Sequence, residues 1–105
     1  MAIYEQRTYT VTVGKMAEVV KLYQTLGWPA LAKHPTRLVG YFTGDVGAMH
    51  ELVHLWKFED DADRRAFRAA VFADADFMAF AVQLRPLLQS QQNKLLMPAP
   101  WGPHP

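Results

Sequence analysis

The stretch Glu51-Leu52-Val53-His54-Leu55-Trp56-Lys57-Phe58 decides how this chain folds. Side chains alternate between the two faces of a β-strand. Leu52, Trp56 and Phe58 therefore lie on one side, and Val53 and Leu55 on the other. The segment Arg37 to Thr43 has the same character, with Leu38, Gly40 and Phe42 opposite Val39, Tyr41 and Thr43. Between the two, Gly44-Asp45-Val46-Gly47 has turn chemistry. Residues 37–58 read as a hairpin with a long loop.

Working outward, Ile3 to Val13 is rich in Tyr, Thr, Val and Ile and ends at Gly14, which predicts a first strand. Ile3, Glu5, Arg7, Tyr9 and Val11 share one face, opposite Tyr4, Gln6, Thr8 and Thr10. The period then changes. Met16, Val19, Val20 and Tyr23 follow the i, i+3, i+4, i+7 spacing of an amphipathic helix. Gly27-Trp28-Pro29 is expected to interrupt it, with a short second helix running to about His34 and stopped by Pro35. After the hairpin, Asp60 or Asp61 can cap a helix carrying Phe67 and Val71. Asp74 opens another, with Phe77, Phe80 or Ala81, and Leu84, and Pro86 ends it. Gln89 to Met97 is the last strand, and the tail from Pro98 carries four prolines.

The order β-α-β-β-α-β predicts an α+β fold. It is a ferredoxin-like sandwich with a four-stranded antiparallel sheet and helices on one face. A length of 105 residues allows one domain, here residues 1–100, with 101–105 as a Pro-rich tail. At 50% hydrophobic and 20% charged residues the chain is not disordered. Eleven basic residues against ten acidic ones leave a net charge of +1, which offers nucleic acid or an anionic membrane no general attraction. With no cysteine, disulfides, thiolate metal sites and a Cys nucleophile are excluded. No run approaches the ~20 apolar residues of a membrane span, and the first ten residues have no export-signal character. A cytoplasmic location is expected.

Helices cover only one face of such a sheet, yet the middle strands are apolar on both sides. Monomers rarely expose a large apolar patch. A homodimer packed sheet face on sheet face is therefore expected.

The segments now described resemble the NIPSNAP family. Tyr4-Glu5-Gln6-Arg7-Thr8-Tyr9-Thr10-Val11 is similar to its opening strand. Gly40-Tyr41-Phe42 and Val53-His54-Leu55-Trp56 follow, then Phe58 and Asp60. Arg85-Pro86-Leu87-Leu88, Ser90-Gln91, Lys94 and Pro98-Ala99-Pro100 match its C-terminal segment. Gln6 departs from the apolar residue common at that place. The resemblance covers residues 2–100 and implies a dimeric α+β barrel, a ferredoxin-like protomer paired through its sheet. The wider fold group holds cofactor-free monooxygenases, haem-degrading enzymes, dehydratases and plain binding modules, so it implies no particular chemistry.

Glu5, Arg7 and Tyr9 project from one face and can line a barrel cavity, Arg7 holding a carboxylate or enolate. Alternatively Glu5 and Arg7 form an ion pair inside the strand. His54 can act as a general base near neutral pH beside Trp56 as an apolar wall, or serve as an interface histidine. Tyr41 can join such a pocket as a donor, or simply pack. Whether Arg7 and His54 share a face depends on strand register. His50 and His54 lie ~13 Å apart on a strand, too far to share an ion. No metal or other cofactor is expected. Arg64, Arg65 and Arg68 read as a solvated helix face, offset by Asp60, Asp61 and Asp63. Two functional readings stand. One is a small acid, carbonyl or planar ligand bound or transformed in the dimer barrel. The other is a non-catalytic interaction or scaffold module with a filled barrel.

Overall fold

The computed structural model describes residues 2–34 and 37–105. Pro35, expected to stop the second helix, lies outside them. Four strands, β1 (Ile3–Val11), β2 (Leu38–Thr43), β3 (Glu51–Phe58) and β4 (Leu88–Leu96), form one antiparallel sheet in the order β2-β3-β1-β4. The hairpin β2–β3 is closed by a loop in which Gly47 takes the left-handed conformation. The fold is α+β and ferredoxin-like, as the element order predicted.

The first helical stretch runs without the expected break. It comprises α1 (Met16–Leu22), a π-helical turn (Tyr23–Gly27) and α2 (Trp28–Leu31). Proline cannot donate to the carbonyl four residues back, and its ring collides with that carbonyl. The widened turn relieves this just upstream of Pro29: the Trp28 amide bonds Tyr23 O, five residues back. The Thr25 hydroxyl donates to the Lys21 carbonyl at 2.8 Å. Gly27 is buried, and a Cβ there would stand 2.6 Å from the Phe80 ring. The helix therefore stays whole, and it packs closely because this residue has no side chain.

Helix α3 (Asp61–Phe72) starts at Asp60, whose carboxylate accepts from the Asp63 amide at 2.8 Å. Helix α4 (Ala75–Leu84) starts at Asp74, which accepts from the amides of Asp76 and Phe77. All helices lie on one face of the sheet. Tyr9, Val11 and Leu52 pack there with Val19, Phe80 and Leu84. Trp56 and Phe58 pack with Leu31, Phe67 and Val71.

The sequence expectation for β2 needs a correction. A bulge between Leu38 and Gly40 shifts the register, so Leu38 opposes Trp56 while Tyr41 opposes His54. Leu38 thus joins the helix-facing core beside Tyr41 rather than the opposite face. The bulge inserts one extra residue and reverses the alternation.

The other face of the sheet carries Phe42, Val53 and Leu55 on one half, and Gln6, Thr8, Gln92 and Lys94 on the other. The C-terminal tail reaches its end, where the Tyr4 hydroxyl donates to Pro105 O at 2.6 Å. No helix of the described residues is long and apolar enough to cross a membrane.

Candidate functional site

Strand register answers the question that sequence left open. Arg7 lies directly opposite His54, Glu5 opposite Trp56, and Tyr9 opposite Leu52. Tyr41 opposes His54 from the other side. Directly paired residues point to the same face. Glu5, Arg7, Tyr9, Tyr41, His54 and Trp56 therefore form one group, and that face is the one under the helices. The cluster lies inside the protomer. The sequence reading had these residues line a dimer-barrel cavity; within the protomer they lie on the face that also carries the core apolar residues covered by the helices.

His54 is buried at 4% exposure among three tyrosines. Its ring centroid lies 4.4 Å from that of Tyr41, 4.8 Å from Tyr9 and 5.5 Å from Tyr23. Burial first, then the charges of Arg7 and Arg68, lower its pKa to about 3. At neutral pH the imidazole is uncharged and a weak base, so the role of a base poised near pH 7 does not describe the unliganded protein. Burial holds the phenols of Tyr23 and Tyr41 well above the usual tyrosine range, keeping both protonated.

Glu5 is 1% exposed and collects cations. Arg68 Nη2 donates to its Oε1 at 2.8 Å, and Asn93 Nδ2 to its Oε2 at 3.3 Å. Arg7 and Arg64 each lie 3.7 Å from Oε2. The expected Glu5–Arg7 pair is thus the looser part of a larger cluster. Arg7 Nε donates instead to the Tyr9 hydroxyl at 2.9 Å. Arg68 also stacks on Trp56, its guanidinium carbon 4.6 Å from the ring centroid.

The reading of the helical arginines as a solvated face is corrected by the same contacts. Only Arg65 is solvated, with 73% of its side chain exposed, against 19% for Arg64 and 14% for Arg68. A signal was present in the sequence. Arg64, Phe67, Arg68 and Val71 follow the i, i+3, i+4, i+7 spacing and so share the inward stripe.

Two spaces meet at this group. A cleft of about 310 Å3 opens to solvent, walled by Trp28 and Val20, rimmed by Phe42 of the edge strand, and floored by Tyr23, Tyr41 and His54. Behind the same three residues lies a chamber of about 40 Å3, lined also by Arg7, Trp56 and Arg68. The π-helical turn sets this geometry: Tyr23 opens it and Trp28 follows it, so both reach the cleft. A wider groove between the π turn, α2 and α4 shares none of these lining residues, and its Lys33 and Asp76 pair with each other at 2.8 Å.

A single sheet, helices on one side and a cleft between them define the protomer type of the dimeric α+β barrels. The NIPSNAP family model matches residues 4–103, and the chain belongs to that family. Among solved structures, a NIPSNAP family protein from Agrobacterium tumefaciens is 32% identical, with a TM-score of 0.90 over 96% of this chain and 89% of that one. A NIPSNAP domain protein from Burkholderia xenovorans is 34% identical, with a TM-score of 0.88 over 97% of this chain and 99% of that one. Human protein NipSnap homolog 3A is 27% identical over 100 residues, which make up 93% of this chain and 40% of that protein. The chain thus spans well under half the length of that curated relative. SnoaB of Streptomyces nogalater, a cofactor-independent oxygenase, shares the fold at 17% identity with a TM-score of 0.66. That likeness is one of architecture only.

Proposed function

We propose that this NIPSNAP domain binds, and can transform, a small acid, carbonyl or planar ligand within each protomer, without a metal. The observation that carries this is the register that pairs Arg7 with His54 beneath an open cleft. Ligand sites are typically apolar clefts of ~300 Å3 or more with a few convergent polar groups. This cleft has that size, with Trp28 and Val20 as apolar walls and His54 and Tyr41 at its base. A planar ring can stack against Trp28, and Arg7 lies behind His54 and Tyr41 as a cation for an acid or carbonyl oxygen. Neutral His54 is a hydrogen-bond partner for such a group, and an anion beside Arg7 and Arg68 would raise its proton affinity.

The test is a screen of planar acids and carbonyl compounds by quenching of tryptophan fluorescence. Hits are expected to lose quenching in Trp28→Phe, and to weaken about tenfold in Arg7→Ala and His54→Ala. Hits that bind both alanine variants as tightly as the parent protein would remove the site. The scaffold reading predicts a filled interior, and the open cleft favours the ligand reading over it.

A homodimer is part of the proposal. The protomer is a slab of 40 × 35 × 19 Å. Its accessible surface is 6596 Å2, against about 5,950 Å2 expected for a compact monomer of this mass. The excess is roughly what one partner contributes to a standard interface. Phe42 on the open face is 57% exposed, and β4 is exposed along nearly its whole length. A second copy covering the open face and β4 is the occupant that matches this area.

A further inference from the structure

We infer that the small chamber behind Tyr23, Tyr41 and His54 is a receptor for a single carboxylate head, so that the ligand is an acid with an apolar, planar body. This rests on the reading of the cleft as a ligand site and makes it more specific. Three buried side-chain atoms have no hydrogen-bond partner among the described residues: Tyr41 Oη, Trp56 Nε1 and Arg68 Nε. All three residues line this one chamber. Buried polar atoms are almost always paired, and an orphan marks a missing partner. Indole and guanidinium nitrogens can only donate, and a phenol can donate. The missing partner is therefore an acceptor that can take several hydrogen bonds at once.

Charge points the same way. Arg7, Arg64 and Arg68 converge on Glu5 alone, while Asp61 is shared between Arg64 and Arg65. Four guanidiniums face two carboxylates, which leaves two positive charges in the cluster. Burial and the neighbouring Arg7 work against the charge on Arg68, and Glu5 works for it. An incoming anion would relieve the first two. Size selects the head: a space of about 40 Å3 takes a few atoms, so the body of the ligand must stay in the adjoining cleft of about 310 Å3. A neutral carbonyl would satisfy one donor and leave the charge excess. A carboxylate offers two oxygens and roughly four acceptor directions.

The experiment is calorimetric titration at neutral pH with 2-naphthoate and its neutral isostere 2-naphthamide. The parent protein is expected to bind the acid at least about tenfold more tightly. Tyr41→Phe keeps the aromatic packing and removes one donor, whereas Trp56→Phe removes one donor together with part of the ring on which Arg68 stacks. Each is expected to weaken 2-naphthoate about fivefold or more and 2-naphthamide clearly less. Equal affinity of the parent protein for both compounds would overturn the carboxylate receptor and leave the cleft standing. Equal losses for both compounds in the two variants would also overturn it, because the change would then be one of cleft shape. Binding of neither compound would overturn the receptor and the cleft reading together.

Discussion

Glu5 shows how one side chain can organise a protein interior. Its carboxylate is almost fully buried, and its nearest partner, Arg68, lies sixty-three positions along the chain. Removing one member of a buried ionic cluster leaves the others unpaired, at a cost of about 3–5 kcal/mol. Glu5→Gln is accordingly expected to lower the urea midpoint by that equivalent, with little change in the denaturant slope. His54 gives a pH signature. Its pKa is about 3 in the folded chain against 6.5 as the ordinary value. The folded value is depressed, so below pH 6.5 the unfolded chain binds a proton that the folded chain refuses. The stability is whole above that pH and falls on acidification toward pH 3, by roughly 1.4 kcal/mol per pH unit. His54→Phe should flatten that slope, measured by urea unfolding at a series of pH values. Gly27 is set by space. A methyl group there would meet the Phe80 ring at 2.6 Å, and Phe80 is 1% exposed in the core. Gly27→Ala is expected to destabilise by about 1–3 kcal/mol.

The helices owe their starts to single acids. Asp60→Ala should cost about 1 kcal/mol by removing the bond to the Asp63 amide. Asp74 does more than cap α4. It also pairs with Lys33 at 3.1 Å and His34 at 2.8 Å, which ties the end of α2 to the start of α4. Those side chains, Lys33 first and then His34, hold its carboxyl at about 2 against an ordinary value of 3.8. Its contribution is present above pH 3.8 and is lost as pH falls toward 2. Asp74→Asn should shift the acid unfolding midpoint upward, followed by circular dichroism. The elements themselves were mostly legible in the sequence. Strand β3 occupies the span its alternation predicted, and the stripes through Val19, Phe67 and Phe80 are buried as their spacing required. Two local events were not legible. The π turn keeps a helix whole where Gly27-Trp28-Pro29 suggested a break, and the bulge in β2 moves Leu38 to the other face. Both insert one residue into a regular repeat, and a repeat is what sequence reading relies on.

At the scale of the molecule, the flat shape and the exposed β4 are what the proposed homodimer would cover. If the proposed homodimer forms, sedimentation at low micromolar concentration should give a species near twice 11.9 kDa. Leu55→Arg, on the open face, should convert it to a monomer while leaving the helix-covered site intact. A parent protein sedimenting as a monomer would remove the dimer from the proposal. The apolar half of that face is narrower than the middle strands implied, because β1 and β4 supply Gln6, Thr8, Gln92 and Lys94 beside Phe42, Val53 and Leu55.

The sequence by itself determined what depends on near neighbours along the chain: the order of strands and helices, their caps, and which residues could share a face. It also marked Glu5, Arg7, Tyr9, Tyr41, His54 and Trp56 as chemically able. Only the tertiary structure decided that these six stand together under the helices, and that Arg64 and Arg68 turn inward to Glu5. Strand register and ion pairs across more than fifty residues are chosen by the packing of the whole core, and no local pattern encodes that choice.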